Sequence, residues 1–292
     1  MRADLDTLVI ALYCAACALF PSERTPRRGR PEKISDNELL ALMVAQMLLQ
    51  CPSDRTFLRR AGRRLGHLFP YLPGQSRYNE RCRLLAPKLV LLWKALAAET
   101  QGASDNLRLL DTTPLPCAQS IQTTRTSQLA PWAGFGYCPA HSRRYWGFKL
   151  VLFCAPDGTI VDFDLVAANT GERQAALALL EANPIDGTTI ICDKGFAGAD
   201  FETAVHEMHA LLLRPSRTDE PQRPNPQIGW IRQRLESIIN TLKDQLLLER
   251  HGGRTPAGLF ARVTARILAL CACINLNQRL GLNSRELTAY AD

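Results

Sequence analysis

Three acidic residues, far apart in the chain, follow or lie on segments that could bring them together. Asp111 follows the apolar run NLRLL, Asp193 follows TTIIC, and Glu236 lies in QIGWIRQRLESIINTLKDQLL. Carboxylates that meet without fixed cations between them repel one another and are costly to bury. Divalent ions remove this cost, because Mg²⁺ and Mn²⁺ bind hard carboxylate oxygens and keep water and substrate phosphate as further ligands. We therefore predict Asp111, Asp193 and Glu236 to be both the catalytic residues and the metal ligands.

The chemistry that suits such a site is phosphodiester cleavage. Two ions about 4 Å apart can activate a nucleophile and stabilise the leaving oxygen, so the expected cofactor is a pair of Mg²⁺ or Mn²⁺ ions. Arg232 and Lys243 lie on either side of Glu236. They are predicted to contact DNA phosphate, arginine with a planar fork and lysine as a point charge. Lys194, next to Asp193, is either a further phosphate contact or a neighbour that balances the charge.

Glu236 must be positioned by a helix, which the sequence predicts from about Gln227 to Leu247. Apolar residues recur there every three to four positions and form one stripe that would face a core. These residues are Ile231, Leu235, Ile238, Ile239, Leu242 and Leu246. A second row beside the stripe consists of Arg232, Glu236, Asn240 and Lys243. Taken alone, the same pattern is also typical of an ordinary amphipathic surface helix.

Two predicted strands must position the aspartates. NLRLLD ends at Asp111, because Pro114 and Pro116 are not expected to continue a strand inside a central sheet. TTIICD, rich in β-branched residues, ends at Asp193. If these two strands are neighbours, their ends place both aspartates on one edge of the sheet, and the helix that carries Glu236 can cover them.

The order of the elements predicts the fold class. Residues 117–144 are expected to form an irregular insert, and two strands then surround the hairpin signal PDG at 156–158. Helix, strand, helix, strand and two more helices follow. This order fits an α/β, ribonuclease H-like mixed five-stranded sheet flanked by helices and preceded by an all-α N-terminal domain. The predicted domains are residues 1–103 and 104–292.

The N-terminal part of the chain is basic. The net charge is +7, and residues 24–94 contain 15 Lys or Arg against 5 Asp or Glu. Such a distribution is typical of a module that binds a polyanion such as DNA. The cations predicted to bind DNA lie in an arginine-rich linker and on the helix that begins after Ser53; they are Arg27, Arg28, Arg30, Arg59, Arg60, Arg63 and Arg64.

Short helices are predicted throughout this basic region. Ser35 and Glu38 have the spacing of a capping box, and Ser53 is expected to cap the next helix. A further helix is predicted over Glu80–Glu99. Short helices with cations on the middle one fit either a helix-turn-helix-like DNA-binding module or a helical bundle with a solvated basic face.

The composition excludes several classes of protein. A charged content of 22% and a hydrophobic content of 46% are typical of globular rather than disordered chains. Several of the ten cysteines lie inside apolar runs, which indicates buried thiols in a reducing cytosol, and their spacing does not favour zinc. The apolar stretch from Leu8 to Phe20 is too short to span a bilayer. We expect a cytoplasmic, nucleoid-associated protein without a membrane partner.

Aromatic residues in and after the insert admit two interpretations. Trp132, Tyr137, Tyr145 and Trp146 could stack on flipped or single-stranded bases. Alternatively they pack inside the insert or the core.

Nearly the whole chain resembles a known family. LLDTTPLP, ICDKGF and RQRLESIINTLKD are similar to the three catalytic blocks of bacterial insertion-sequence DDE transposases, and the closest resemblance is to the insertion-sequence 982 family. ISDNELLALMVAQ and RRLGHLFPYLPGQSRYNERCR resemble the front domain of that family. The resemblance implies that Asp111, Asp193 and Glu236 hold the metals. It also implies double-stranded DNA as the partner, a homodimer or larger oligomer on DNA, and hydrolysis at the element's ends followed by joining of the 3′-hydroxyl to target DNA.

One part of the family pattern is not matched. Related transposases carry a Tyr, Arg, Glu, Lys signature, which Arg232, Glu236 and Lys243 fit, but Gly229 stands in the tyrosine position with Trp230 beside it. Two other functions stay open beside the transposase. One is a ribonuclease H-fold nuclease that cuts without joining, and the other is a catalytically inactive DNA-binding regulator.

Overall fold

The computed structural model describes residues 3–21, 32–118, 120–138, 142–221 and 228–291. Its helices are α1 Leu5–Leu19, α2 Asp36–Leu48, α3 Asp54–Arg64, α4 Gln75–Leu84, α5 Ala86–Ala98, α6 Ile121–Thr126, α7 Glu172–Glu181, α8 Ala199–Glu207, α9 Gly229–Asn240 and α10 Pro256–Arg279. Its strands are β1 Leu107–Ala118, β2 Gly134–Cys138, β3 Arg143–Cys154, β4 Ile160–Ala167, β5 Thr189–Cys192 and β6 Leu211–Leu213.

The chain forms two compact units. The helical unit consists of Met1–Glu99 together with Leu242–Asp292, and the sheet unit consists of Thr100–Thr241. Residues 242–292, which the sequence assigns to the sheet domain, group with the N-terminal helices, because α10 is buried on nearly all sides and packs against α5 and α2. The helical unit is therefore built from both ends of the chain.

Helix α10 forms the centre of the helical unit. Its length and composition would allow it to cross a membrane, but most of its apolar part is buried inside the protein. A long, largely apolar helix with few polar positions requires such surroundings. Helix α2 supplies much of them, since its residues from Leu39 to Leu48 are all buried.

The helix starts follow the sequence closely, but one predicted helix is wrong. The Ser35 hydroxyl accepts a hydrogen bond from the Glu38 N–H, and the Glu38 carboxylate accepts one from the Ser35 N–H, which confirms the capping box. The helix expected over Glu80–Glu99 is two helices, α4 and α5, that meet at Leu85. Pro87 is the reason, because it lacks the N–H that a continuous helix would bond.

A buried acid, Asp54, anchors several parts of the helical unit. Its carboxylate accepts hydrogen bonds from Gln46 at 3.0 Å, from Asn79 at 2.9 Å and from Arg262 of α10 at 2.7 Å. Asp54 and Arg262 line a cavity of about 700 Å³ within this unit. The ion pair thus joins the N-terminal helices to the C-terminal one.

The sheet unit has the predicted class of fold, a mixed sheet flanked by helices. β1 lies in the middle, antiparallel to β3 and parallel to β5, which in turn pairs with β6 in parallel. The other edge of β3 pairs with β2 near its start and with β4 near its end. Helices α7 and α8 cover one face through a buried apolar cluster that includes Leu110, Val151 and Ile190.

The insert expected to be irregular, residues 117–144, contains helix α6 and strand β2. The sheet therefore has six strands rather than five in the part of the chain that is described. The sequence concealed β2 because Gly134 and Gly136 occupy alternate positions, and glycine in a strand is locally unfavourable.

Strand β1 does not end at Asp111 as predicted but continues to Ala118. It passes Pro114 and Pro116, which pair with Lys149 and Gly147 of β3. The N–H of Thr112 donates to the Asp111 carboxylate at 2.7 Å, so it points away from β3. Pro114 and Pro116 follow Thr112 at alternate positions, so their nitrogens also point away from β3. They face the edge of β1 beyond the end of β5, and a strand tolerates proline at such an edge because no N–H is needed there.

Candidate active site

Asp111 lies on β1 at the point where the parallel neighbour β5 stops. The pairing of β1 with β5 ends at Leu110 and Cys192, so Asp111 and Asp193 are each the next residue after the paired segment. Both follow the carboxyl ends of adjacent parallel strands, and they share one face of the sheet. The expectation that the two aspartates meet at one edge is met, although β1 runs further than expected.

Asp193 begins the short loop between β5 and α8. Its carboxylate accepts a hydrogen bond from the Lys194 N–H at 2.6 Å. The same oxygen lies 3.1 Å from a guanidinium nitrogen of Arg232 on α9. Asp193 therefore already has a cationic neighbour.

Two arginines that the sequence did not single out hold this loop. Arg173 of α7 and Arg217 both donate to the carbonyl oxygen of Ala197, at 2.7 and 3.2 Å. Arg217 also donates to the carbonyl oxygen of Lys194 at 3.4 Å. The backbone that follows Asp193 is thus fixed from two sides.

Helix α9 carries Glu236 over the face of the sheet opposite α7 and α8. Leu235, Ile238 and Ile239 of the predicted stripe are buried, whereas the side chain of Ile231 is outside the described residues. Asp111, Asp193, Arg232 and Glu236 line one cleft of about 50 Å³, together with Leu109, Ile191, Cys192 and Leu235. The apolar stripe fixes where the exposed Glu236 side chain points.

The predicted helix 227–247 is shorter than expected. α9 ends at Asn240, a π-helical turn covers Thr241–Gln245, and Leu247 is left-handed. The Thr241 hydroxyl donates to the Ser237 carbonyl at 2.9 Å, a side-chain bond that competes with the regular helical pattern. Lys243, in this turn, belongs to the helical unit, and its ammonium lies 3.6 Å from the Glu249 carboxylate.

The cleft disfavours a negative charge on Asp111. Burial raises the pKa of Asp111 to about 7, against a hydrogen bond from the Thr112 N–H that lowers it. The charges of Asp193 and Glu172 raise the pKa further, and Arg232 lowers it. A cation bound beside Asp111 would favour the ionised form.

Glu172 is a further acid near the cleft that sequence reasoning missed. The Thr112 hydroxyl donates to its carboxylate at 3.1 Å, and the Lys149 ammonium lies 3.7 Å from it. Glu172 begins α7 after the short loop that follows β4, and β4 runs in the same direction as β1 and β5. Its position after a third strand of that direction is the signal that could have identified it.

The donor set fits a hard divalent cation, because the polar cleft residues other than Arg232 are carboxylates and one of them has a raised pKa. Within the described ranges, however, no three Asp, Glu, His or Cys side chains lie at the mutual spacing of a metal site. Asp111 and Asp193 are the residues that would hold an ion first. Glu236 faces the same cleft and forms no hydrogen bond or ion pair with any described residue.

The predicted DNA-binding cations have different surroundings. Arg27, Arg28 and Arg30 lie outside the described residues. On α3, Arg60 donates to the Leu49 carbonyl and Arg64 pairs with Asp6, both at 3.0 Å. Arg59, Arg63 and Lys194 have exposed side chains. The role of all these cations stays a prediction.

The tyrosine position of the signature begins α9. A Cβ added to Gly229 meets nothing within 4 Å, so crowding at the Cβ position does not explain the glycine. The neighbouring Trp230 is exposed.

A mixed sheet with carboxylates after adjacent parallel strands, and a third on the covering helix, defines the ribonuclease H-like DDE class. Residues 103–272 match the family model of the transposase DDE domain. Since this match spans more than half of the sequence, the chain belongs to the transposase DDE domain family. The predicted class is confirmed, and the narrower assignment to the insertion-sequence 982 family stays a prediction.

Other comparisons add little detail. No curated protein matches the chain. Among solved structures, a piggyBac transposase in a synaptic complex with hairpin DNA matches with a TM-score of 0.47 and 11% identity. The match covers 97% of this chain and 75% of that chain.

Proposed function

We propose that this transposase binds the ends of an insertion sequence, cleaves DNA by metal-dependent phosphodiester hydrolysis and joins the freed 3′-hydroxyl to target DNA. The observation that supports this proposal is the shared cleft of Asp111, Asp193 and Glu236. Asp111 is buried in surroundings that disfavour its ionised form, and Glu236 forms no hydrogen bond or ion pair with any described residue, so a structural role does not account for either of them.

Each residue of the cleft has a proposed role. Asp111 and Asp193 would hold Mg²⁺ or Mn²⁺, and Glu236 would complete the ligand set. The ions, when bound, supply a nucleophile and stabilise the leaving oxygen. When a metal binds Asp193, the ion pair of Arg232 with Asp193 would open, and the planar guanidinium of Arg232 would orient a DNA phosphate.

The remaining parts of the function are also proposals. Arg59 and Arg63 of the helical unit, and Lys194 beside the cleft, would contact phosphates of double-stranded DNA. Lys243 is proposed to do so only if its contact with Glu249 opens. A homodimer or larger oligomer on DNA, located in the cytoplasm with the nucleoid, is the state in which two element ends would be processed together.

The experiment uses a DNA duplex that carries the inverted repeats flanking the gene. We expect cleavage with Mg²⁺ or Mn²⁺ and none with a chelator. Asp111→Asn, Asp193→Asn and Glu236→Gln should each abolish cleavage while the duplex is still bound. Asp164→Asn is the matched control, because Asp164 is a strand carboxylate outside the cleft. Full cleavage by any of the three cleft variants would refute the assignment.

A second candidate function, an inactive DNA-binding regulator, is favoured by one observation. Arg232 already neutralises Asp193 at 3.1 Å, as a permanent substitute for a metal would. A regulator would show no thermal shift with Mn²⁺ and no cleavage. A nuclease that cuts without joining is separated from a transposase by looking for joined product with a supercoiled target plasmid.

A further inference from the structure

Strand β2 and the start of β3 form an arm that displays aromatic side chains to solvent. We define the aromatic arm as Trp132–Cys138 with its paired residues Arg144–Gly147 of β3. Trp132, Phe135 and Tyr137 are 62, 64 and 57% exposed. Aromatic side chains of this size normally bury most of their surface, so three exposed ones close together in the chain require an explanation.

Two glycines determine which way the rings point. A Cβ on Gly136 would lie 2.8 Å from the Tyr145 ring, and a Cβ on Gly134 would lie 2.1 Å from the Asn169 side chain. One face of β2 can therefore pack closely only because it lacks side chains at these positions. Phe135 and Tyr137 alternate with the glycines and consequently share the opposite, exposed face.

The predicted aromatic group is thus divided. Tyr145 and Trp146 are buried, as the packing interpretation expected. Trp132 and Tyr137 are exposed, together with Phe135, which the sequence did not single out. Phe135 and Tyr137, at alternate positions of β2, form a platform of the kind on which bases stack, and Trp132 lies in the turn just before the strand.

The charge around the arm favours a polyanion. No Asp or Glu occurs from Thr112 to Pro156, whereas Arg125, Arg143, Arg144 and Lys149 do. Arg144 lies directly across from Tyr137 on the neighbouring strand. The exposed side chains of Arg125 and Arg144 form no ion pair with any residue that the structure describes. A docked protein segment would not require so long a stretch without acids.

We propose that the aromatic arm binds unpaired bases of a DNA strand, with Trp132, Phe135 and Tyr137 stacking on them and Arg144 contacting the backbone. The inference deepens the proposed function, on which its choice of DNA rests. The arm begins near Pro116 of β1, about five residues or roughly 17 Å along the strand from Asp111. At about 3.4 Å per nucleotide this distance corresponds to roughly five stacked nucleotides. The arm would hold a strand that is unpaired near the cleavage point.

The test measures equilibrium binding of the full chain, in a chelator, to a fluorescein-labelled 20-nucleotide oligo(dT) and to a 20-base-pair duplex. The triple variant Trp132→Ala/Phe135→Ala/Tyr137→Ala should lose single-strand affinity by about tenfold or more, because each stacked base contributes several-fold. Its duplex affinity should stay within about twofold, since duplex binding is dominated by phosphate contacts. An oligonucleotide containing 2-aminopurine should be quenched by the wild-type chain and not by the triple variant.

Conservative and matched variants separate stacking from folding. Tyr137→Phe and Trp132→Phe keep a ring and should retain single-strand affinity, while Tyr13→Ala removes an exposed aromatic of the helical unit and should change nothing. Arg144→Ala should reduce the slope of log affinity against log salt by about one.

Three outcomes would overturn the proposal. The first is an equal loss of affinity of the triple variant for duplex and for single-stranded DNA. The second is an unchanged affinity of the triple variant for single-stranded DNA. The third is a triple variant that is monomeric while the wild type is dimeric. The last would identify the arm as an interface between copies of the chain. Because no metal is present, the result is independent of whether the cleft cleaves DNA.

Discussion

At the scale of single residues, the two aspartates of the cleft differ in their need for a cation. Asp193 has the Lys194 N–H and Arg232 as partners. Asp111 has the Thr112 N–H but also faces two other acids, and its pKa is raised to about 7. A bound divalent ion would therefore stabilise the ionised form of Asp111 most. At Asp193 the ion would compete with Arg232 for the carboxylate.

Replacement of Arg232 tests this competition. We expect Arg232→Ala to strengthen Mn²⁺ binding by about 1 kcal/mol, or roughly fivefold, because a positive charge beside the site is removed. Titration calorimetry without DNA measures the affinity. Arg234→Ala, two residues along the same helix, is the control and should leave it unchanged. Weaker Mn²⁺ binding by Arg232→Ala would mean that Arg232 positions Asp193 rather than competing for it.

A second prediction at this scale concerns Asp54 and the stability of the fold. Burial opposes its ionisation, but the charge of Arg262 and hydrogen bonds from Gln46, Asn79 and Arg262 outweigh burial and lower the pKa of Asp54. A carboxylate with a lowered pKa stabilises the fold above its unfolded pKa of about 4. That stabilisation disappears as the pH falls through the folded pKa.

We therefore expect Asp54→Asn to reduce the free energy of unfolding at pH 7 by about 3 kcal/mol, since Arg262 is left without its partner. The difference from wild type should shrink below pH 4. Denaturant unfolding at several pH values measures it, and Asp54→Asn/Arg262→Met should recover part of the loss. A difference that stays constant down to the acid transition would show that charge is not the cause.

At the scale of elements, the site depends on a loop and a helix that are held in different ways. α9 is held by its buried stripe, which the period of the sequence predicted. The loop after Asp193 is held by Arg173 and Arg217, which come from distant parts of the chain. No local pattern predicts such contacts, because they depend on the tertiary fold.

Loss of both arginines tests this loop. Arg173→Ala/Arg217→Ala should increase amide hydrogen exchange at residues 194–198 while exchange in β5 is little changed, because two donors to one carbonyl are removed. Each single variant keeps one donor and should show a smaller effect. Arg59→Ala is the control for an exposed arginine of the helical unit. Unchanged exchange in the double variant would contradict the role of the two arginines.

The same distinction explains what could be predicted from the sequence. The three carboxylates, the capping box and the core strands follow from period, spacing and cap chemistry. β2 was missed because Gly134 and Gly136 replace the alternation that marks a strand. The extension of β1 past Pro114 was missed for a different reason. Proline is excluded from a strand only where its nitrogen faces a paired neighbour, and whether it does depends on where β5 ends.

At the scale of the whole molecule, the two units have separate cores. The sheet unit contains an apolar cluster of its own between the sheet and α7 and α8. The helical unit depends on α10 and on the ion pair of Asp54 with Arg262. We therefore expect fragments that correspond to the two units to differ in whether they fold on their own.

We expect a fragment of residues 100–241 to unfold cooperatively and to give a native-like near-ultraviolet circular dichroism spectrum. A fragment of residues 1–99 should not, because α2 and α5 would lose the helix that covers them. Adding a peptide of residues 242–292 should restore order to the second fragment. A cooperatively folded 1–99 fragment would contradict the central role assigned to α10.

The division of the helical unit between both chain ends also has a consequence for synthesis. α2 leaves the ribosome early, but α10 follows more than 150 residues after α5. At about 5–20 residues per second this interval lasts roughly 10–30 s. During it the sheet unit can complete its core, while the faces of α2 and α5 that pack against α10 have no permanent cover. A nascent chain can therefore possess the acidic cleft before the basic helices are ordered, and a chain that terminates before α10 would keep the cleft without a stable helical unit.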